Sequence, residues 1–266
     1  MNDRIEINMD GGVADVRLVR ADKMNALDDA MFAALREAGE ALKTRAGLRA
    51  VVLSGEGRAF CAGLDTANFG KMASGERGGA RLLAGERTPG GANPPQHSVM
   101  VWREIPVPVI AAVHGVAYGG GFQLMLGAEL RFVAPDTKLS IMEINWGLVP
   151  DMGGIALLRG LLRDDLAREL VYTGRVFSGS DAGQLGLATR VCADPRAEAL
   201  ALAHEIAARS PKAMRAAKRL LDLAADADAK TILLAESREQ AALIGSTEQA
   251  EAVRARLAGR RGDFAD

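Results

Sequence analysis

Three scarcities bound what this chain can do. Cysteine occurs only twice, as Cys61 and Cys192, far apart and each in an apolar setting. Two isolated thiols make neither a disulfide framework nor a zinc cage, so no metal centre is expected and a reducing cytoplasm is the expected compartment. Clustered positive charge is missing as well. The 33 Lys and Arg balance 34 Asp and Glu to a net charge of -1, with no run dense enough to follow a phosphate backbone, which argues against nucleic acid as a partner. Long apolar runs are the third absence: none approaches the ~20 residues that span a bilayer, and the start, Met1 to Glu6, has no apolar signal core, so neither membrane nor export is expected. At 266 residues and 28.0 kDa the chain suits one large α/β unit with an appendage.

What is present centres on Val109-Ile-Ala-Ala-Val-His-Gly-Val-Ala-Tyr-Gly-Gly-Gly-Phe-Gln-Leu-Met-Leu-Gly-Ala128. An apolar, β-branched run with no polar face reads as a buried strand, and after Gly119-Gly120-Gly121 the pattern continues as an apolar helix. Three glycines between strand and helix let the backbone take φ > 0 and bring its N–H groups against a ligand, at the positive end of the helix. A tight turn packed on a neighbouring backbone is the alternative. Gly115-Val-Ala-Tyr-Gly119-Gly-Gly121 fits neither G-x-G-x-x-G nor a P-loop, which disfavours a nucleotide-binding module.

Upstream, Ile5 to Met9 and Val13 to Val19 read as a hairpin around Gly11-Gly12. Asp28 is placed to cap a helix through Met31, Leu35, Ala38 and Leu42, and Leu48 to Leu53 reads as the next strand. Strand, strand, helix, strand predicts an α/β fold. Gly57 to Asp65 follows, with Ala62 and Gly63 too small to fill a core, so they serve a turn or admit something close to the backbone. Gly70 to Pro95 lacks periodicity and reads as a mobile binding loop or a solvated charged one, carrying Arg77, Arg81 and Arg87.

Downstream, Leu130 to Ala134 and Lys138 to Ile141 read as short strands around Pro135-Asp136. Glu143 and Asp151 then stand eight positions apart among Ile144, Trp146, Leu148, Val149 and Met152. Apolar neighbours raise a carboxyl's pKa, which poises an acid or base near neutrality. Asp151 could equally cap a helix through Ile155, Leu158 and Leu161, with Glu143 facing solvent. Helices are predicted over Leu166–Thr173 and Ser180–Leu185, and from Arg196 to the end, with Ser210-Pro211 opening one helix and Ser246 with Gln249 forming a capping box. The stripe Leu200, Ala203, Ile206 and Ala207 needs a partner, either the core or another subunit. His114 reads as a satisfied core histidine, and His97 and His204 as surface residues in a loop and a helix.

Four stretches together, Arg20 to Leu27, Gly57 to Asp65, Val109 to Gly121 and Ser178 to Val191, resemble the crotonase superfamily of enoyl-CoA hydratases and isomerases in order and spacing across nearly the whole chain. The resemblance implies an α/β, crotonase-like spiral of ββα units over 1–195 and a C-terminal α-helical region over 196–266 that serves oligomerisation, as trimers or hexamers. It implies an acyl-CoA substrate, with no separate cofactor because coenzyme A is part of that substrate. Carried over by position, the oxyanion hole falls on the backbone N–H groups of Leu64 and Gly120, and the CoA contacts fall near Lys23, Met24, Ala62 and Leu64. Thr66 and Ala67 stand where relatives often carry a lysine near the nucleotide.

The family's hydratases hold one water between two glutamates; the second falls on Glu143, but the first falls on Gln123, whose amide cannot take a proton from water. Asp151 stands where a dienoyl-CoA isomerase has a second acid. An isomerase-type proton shift by Glu143 and Asp151 is therefore the leading expectation, with Gln123 positioning substrate or water and Trp146 a pocket wall. A hydratase is the runner-up, ahead of a thioester hydrolase or a non-catalytic protein of this fold.

Overall fold

The computed structural model describes residues 3–74, 79–83 and 85–265. The chain opens with β1 (Ile5–Asp10) and β2 (Val13–Leu18), paired antiparallel around Gly11 and Gly12, which both take positive φ. Helix α1 (Asp29–Lys43) starts where the Asp28 carboxylate accepts the Met31 N–H at 2.7 Å, and it buries Met31, Leu35, Ala38 and Leu42. After it come β3 (Ala50–Gly55), α2 (Thr66–Ala73), α3 (Ala80–Leu83), α4 (Pro94–Glu104), β4 (Val109–Val113), β5 (Val116–Tyr118) and α5 (Gly120–Leu126). The chain continues through β6 (Leu130–Val133), β7 (Lys138–Ser140), a 3-10 turn (Glu143–Trp146), α6 (Gly154–Leu158), α7 (Asp164–Thr173), β8 (Phe177–Ser178), α8 (Gly179–Leu185) and β9 (Arg190–Val191). Helices α9 (Pro195–Ala207), α10 (Pro211–Ala224), α11 (Ala229–Leu243) and α12 (Thr247–Leu257) complete it.

From β4 to β7 successive strands alternate between two sheets. The larger runs β1-β2-β3-β4-β6-β9, parallel beyond the opening hairpin, and the smaller runs β5-β7-β8 and is extended by a bridge from Cys61 to Ala117. Thus β3 leads to Cys61, β4 to β5, and β6 to β7, each step moving one position along both sheets. That progression is the expected spiral of ββα units. The residues read as two strands around Pro135-Asp136 do not form a hairpin: β6 and β7 join different sheets, a choice that local pattern does not encode.

The central strands β3 and β4 are buried along almost their whole length, as their unbroken apolar runs require. One face carries the main core, with Trp102, Phe60 and Phe122 fully buried. The other face is closed by α9, whose Ala199 and Ala203 let the helix approach Val13, Val52, Ile110 and Phe132 closely, with Leu200, Ile206 and Ala207 packed at the margin. The stripe predicted on this helix therefore covers the sheet. Helix α10 is anchored by Lys218, which is buried, donates to the Val107 carbonyl at 2.9 Å and pairs with Glu129 at 3.0 Å. Beyond α10 the packing thins, and α11 buries no residue.

Two expectations need correction. The 70–95 stretch is not one aperiodic loop. Asp65 caps α2 by accepting the Ala67 N–H at 3.0 Å, and Asn93 with Gln96 forms a complete capping box that starts α4, with prolines in its first turn. Arg87 donates to the Gly91 and Leu82 carbonyls and so ties the segment to itself; Arg77 and the Arg81 side chain lie outside the described residues. At Ser246 only half of the box forms. Its hydroxyl accepts the Gln249 N–H at 3.2 Å, and no return bond from the Gln249 side chain is found among the described residues.

Candidate active site

The site begins where two stretches of backbone are laced together. Met24 and Asn25 adopt left-handed φ of 50 and 55 degrees, and the fully buried Asn25 side chain holds that bend by accepting the Arg20 N–H at 2.9 Å and donating to the Glu56 and Ala59 carbonyls. Ala62 N–H then donates to Met24 O at 2.9 Å, Leu27 N–H to Gly63 O at 2.8 Å and Asp65 N–H to Leu27 O at 3.1 Å. With Gly63 C=O and Asp65 N–H both turned toward Leu27, the N–H of Leu64 between them points the other way.

Glycine makes the next contact. A Cβ on Gly63, whose φ is +87, would lie 2.5 Å from the Tyr118 carbonyl oxygen and 3.5 Å from the Gly120 nitrogen. Gly120 is the first residue of α5, so its N–H has no partner within the helix. Among the described residues neither the Leu64 nor the Gly120 N–H donates a hydrogen bond, and the close approach of Gly63 sets the two side by side. The sequence expectation of a close-approach site at Ala62–Leu64 and at the glycine triplet thus converges on one place.

Side chains furnish the other half. Glu143, at the start of the 3-10 turn, is 9% exposed, and its Oε1 accepts from Gln123 Nε2 at 2.6 Å while the buried Oε2 has no partner among the described residues. Its carboxyl stands against Gly119, where a Cβ would meet Oε1 at 3.3 Å. Burial pushes this carboxyl above its ordinary range, and the nearby Asp151 charge adds to the rise, while the Gln123 hydrogen bond opposes it. The alternative of a solvent-facing Glu143 is excluded. Asp151 is exposed at the lip, yet crowding by the surrounding chain also raises its carboxyl pKa. It is not the cap of α6, a position taken by Gly153 with φ 92.

Gln123 is more constrained than a water-positioning role suggests. Its Oε1 accepts two backbone N–H groups, Met152 at 2.8 Å and Gly154 at 3.0 Å, which fixes the amide orientation and leaves one Nε2 hydrogen after the bond to Glu143. A Cβ on Gly154 would lie 2.7 Å from the Gln123 side chain.

The residues expected near CoA lie on the outer side of the laced junction. Lys23 is exposed and Met24 and Ala62 are half-buried, beside a cavity of about 470 Å³ lined by Arg20, Lys23, Asp65 and Asn68 among others. Arg20 is committed there to Asp65 at 2.6 Å and Asp28 at 3.5 Å. Thr66 and Ala67 are exposed at its rim. Trp146 is half exposed and stacks on Phe69 of α2, with centroids 4.4 Å apart, joining the turn that carries Glu143 to the helix that follows Leu64.

The histidines stand outside the site. His114 is satisfied by the Gly57 carbonyl at 2.9 Å, and His204 is exposed on α9. His97 corrects the expectation: it is buried on α4, 2.8 Å from Glu40, in a cluster with Glu104 that the Lys43 ammonium bridges.

The chain matches the model of the enoyl-CoA hydratase/isomerase family over residues 8–266. It belongs to that family. Its relatives include the peroxisomal Delta(3,5)-Delta(2,4)-dienoyl-CoA isomerase of Arabidopsis thaliana, 28% identical over 98% of this chain and 95% of the relative. The mitochondrial methylglutaconyl-CoA hydratase of Homo sapiens is 30% identical over 90% of this chain and 70% of its own length. Among solved structures, an enoyl-CoA hydratase from Polaromonas sp. JS666 superposes with a TM-score of 0.86 at 28% identity, covering 98% of this chain and 99% of that one. The architecture of this hydratase/isomerase family member is thus the crotonase fold with its C-terminal helices, and the family's acyl-CoA chemistry applies to it. Among the described residues no helix is long and apolar enough to cross a membrane.

Proposed function

We propose that this protein is an acyl-CoA isomerase that moves a proton along an unsaturated acyl chain. Glu143 takes a proton from the carbon next to the thioester, and the electron pair of that C–H bond runs into the carbonyl. The resulting enolate oxygen is held by the N–H groups of Leu64 and Gly120, each such donor contributing ~3 kcal/mol to the transition state. Return of a proton at the far end of the conjugated system, from Asp151 or Glu143, restores the carbonyl with the double bond displaced and no atom gained or lost. Lys23, Met24 and Ala62, with the Leu64 backbone, bind the CoA portion. No further cofactor takes part.

The observation that carries this reading is the state of Gln123: with its oxygen bound by two backbone N–H groups, it is an uncharged residue that cannot act as a second base toward water. Two carboxyls with raised pKa values remain, suited to lending and reclaiming a proton. The likeness to a dienoyl-CoA isomerase along almost the whole chain supports the same reading. Hydration is the second reading, favoured by the methylglutaconyl-CoA hydratase likeness and by Glu143 itself, which is free to activate a water at Oε2.

The test uses a 3,5-dienoyl-CoA, whose conversion to the 2,4-isomer brings the diene into conjugation with the thioester and raises near-ultraviolet absorbance. The wild type raises it and Glu143→Gln slows it by ~10²–10⁴-fold. An unchanged rate in that variant overturns Glu143 as base, and water addition without the absorbance rise favours hydration.

The assembly belongs to the same proposal: a trimer or hexamer, with the region over 196–266 joining subunits through its outer helices. Leu221, Leu233, Leu234, Ile244 and Leu257 are large apolar residues left exposed on α10–α12 and the turn between α11 and α12, which supports an interface there. Sedimentation as a monomer at micromolar concentration overturns this. Two free cysteines suit a cytoplasmic home.

A further inference from the structure

Gln123 is the one polar residue inside α5, a helix otherwise of Gly, Phe, Leu and Met, and it is 1% exposed. A buried amide in that setting is costly unless its donors and acceptor are used. Its two ends reach different parts of the chain. The oxygen binds the N–H groups of Met152 and Gly154, in the segment that carries Asp151, and the nitrogen binds Glu143 Oε1.

We propose that Gln123 is a positioning residue that holds one oxygen of Glu143 out of the reaction, presents the other as the single basic atom, and fixes Glu143 and the Asp151 segment to the same helix. This rests on Glu143 acting as the base. A carboxylate has two equivalent oxygens in solution; here Oε1 is engaged at 2.6 Å and Oε2 is left buried and unpaired, so proton removal and return use one oxygen from one direction. The amide donor is neutral, which leaves Glu143 as a base where a second carboxylate at that distance would have to share a proton with it.

Charges around the Glu143 carboxyl are few. Helix α5 contributes none, the segment after the 3-10 turn contributes Asp151, and the charges of the adjoining α7 are spent at the surface, Glu169 on Arg175 and Arg168 on Asp164. Beside the backbone N–H of Glu143 itself, Gln123 is accordingly the side chain whose hydrogen bond sets this base.

Two substitutions separate its two ends. Gln123→Glu keeps an oxygen for the Met152 and Gly154 N–H groups but removes the donor toward Glu143; Gln123→Leu removes both. The readouts are the pH profiles of kcat and kcat/KM on whichever acyl-CoA the wild type converts, together with Tm. In Gln123→Glu one further ionisation joins those of the wild type, and the pair of carboxyls it creates with Glu143 titrates in two steps roughly two or more pH units apart. The variant's kcat near neutral pH falls about tenfold, because the proton shared by the two carboxyls occupies Glu143 in most molecules, and its KM stays within about threefold. Gln123→Leu moves the acidic limb to higher pH and lowers Tm.

A Gln123→Glu enzyme with the wild-type kcat and no ionisation beyond those of the wild type overturns the proposal and leaves Gln123 as a structural clamp only. The outcome is separable from the proposed reaction. A wild type that hydrates instead of isomerising refutes isomerisation, yet its pH profile still tests Gln123; a Glu143→Gln variant with intact turnover removes the base on which both depend.

Discussion

The two halves of the site are built on opposite principles. The half around Leu64 and Gly120 is backbone, and what matters there is the absence of side-chain atoms: Gly63 and Gly121 bring their backbones against Tyr118 and Cys61 at distances that no Cβ tolerates. The half around Gln123, Glu143 and Asp151 is made of side-chain atoms in a scaffold that does not need their charges. Substitution in the first half should therefore strike folding and function together. In the second, substitution of a carboxyl should strike chemistry and leave the fold, or even strengthen it, while loss of the Gln123 amide also loosens the segments it ties together.

The largest effect expected is in the backbone half. A Cβ on Gly121 would lie 2.1 Å from the Cys61 carbonyl oxygen. Because that atom is backbone, Gly121→Ala should exceed the ~1–3 kcal/mol of ordinary overpacking and lower Tm by roughly 10 °C or leave no soluble protein. A wild-type melting curve for this variant breaks the comparison at once.

Glu143→Gln comes next, with a fall in kcat of ~10²–10⁴-fold on an intact fold. Its stability has a definite sign. The folded-state pKa of Glu143 is raised, so the folded chain holds the proton more tightly than the unfolded one, and stability falls as pH climbs from the ordinary carboxyl value to the raised one. The amide carries no such loss. Glu143→Gln should thus melt higher than wild type above the raised pKa, and the gain should vanish in acid; calorimetry at two pH values reads both. The same shift places the acidic limb of kcat/KM in the wild type above the ~4.3 of a free glutamate, with activity lost as pH drops through it.

Asp151→Asn should cost less, about 10-fold to 100-fold in isomerisation rate, because Glu143 can return the proton more slowly on its own. As an exposed residue it should change Tm little. Equal rates in wild type and Asp151→Asn would remove the second carboxyl from the reaction. The smallest effect belongs to Phe69→Ala. Loss of the stack on Trp146 should raise KM for acyl-CoA by about 2-fold to 10-fold, the equivalent of ~0.5–1.5 kcal/mol for an aromatic pair, with kcat near its original value.

The two halves also differ in how plainly the sequence displays them. Gly119-Gly-Gly121 after an unbroken apolar strand, and Ala62-Gly63 after another, mark either a tight turn or close backbone approach from composition alone. The hairpin at Gly11-Gly12 and the helix capped by Asp28 are equally local and equally plain. Glu143 stood out as a carboxylate among apolar neighbours, and it is buried. What Gln123 does was hidden, because its partners Met152 and Gly154 lie 29 and 31 residues away and become neighbours only when the spiral closes.

Other misreadings share a cause. Asn93-Pro94-Pro95 looks like loop composition, yet Asn93 is a cap and the prolines fill first-turn positions that need no N–H, which is how His97 came to lie on a buried helix face. Helix α2 is short and depends on one cap at Asp65, so it leaves little periodic trace. The two short strands around Pro135-Asp136 lie where the pattern predicts them, as β6 and β7; only the sheet each joins, chosen by partners that the rest of the chain supplies, is not legible.

The most direct measurement of the central claim is mass spectrometry of a short unsaturated acyl-CoA after incubation with the purified protein in heavy water. Proton shuttling by Glu143 predicts deuterium in the acyl chain with no water added and no free CoA released. Addition of the elements of water would contradict isomerisation and make this a hydratase despite Gln123, and release of free CoA would place its chemistry at the thioester bond instead.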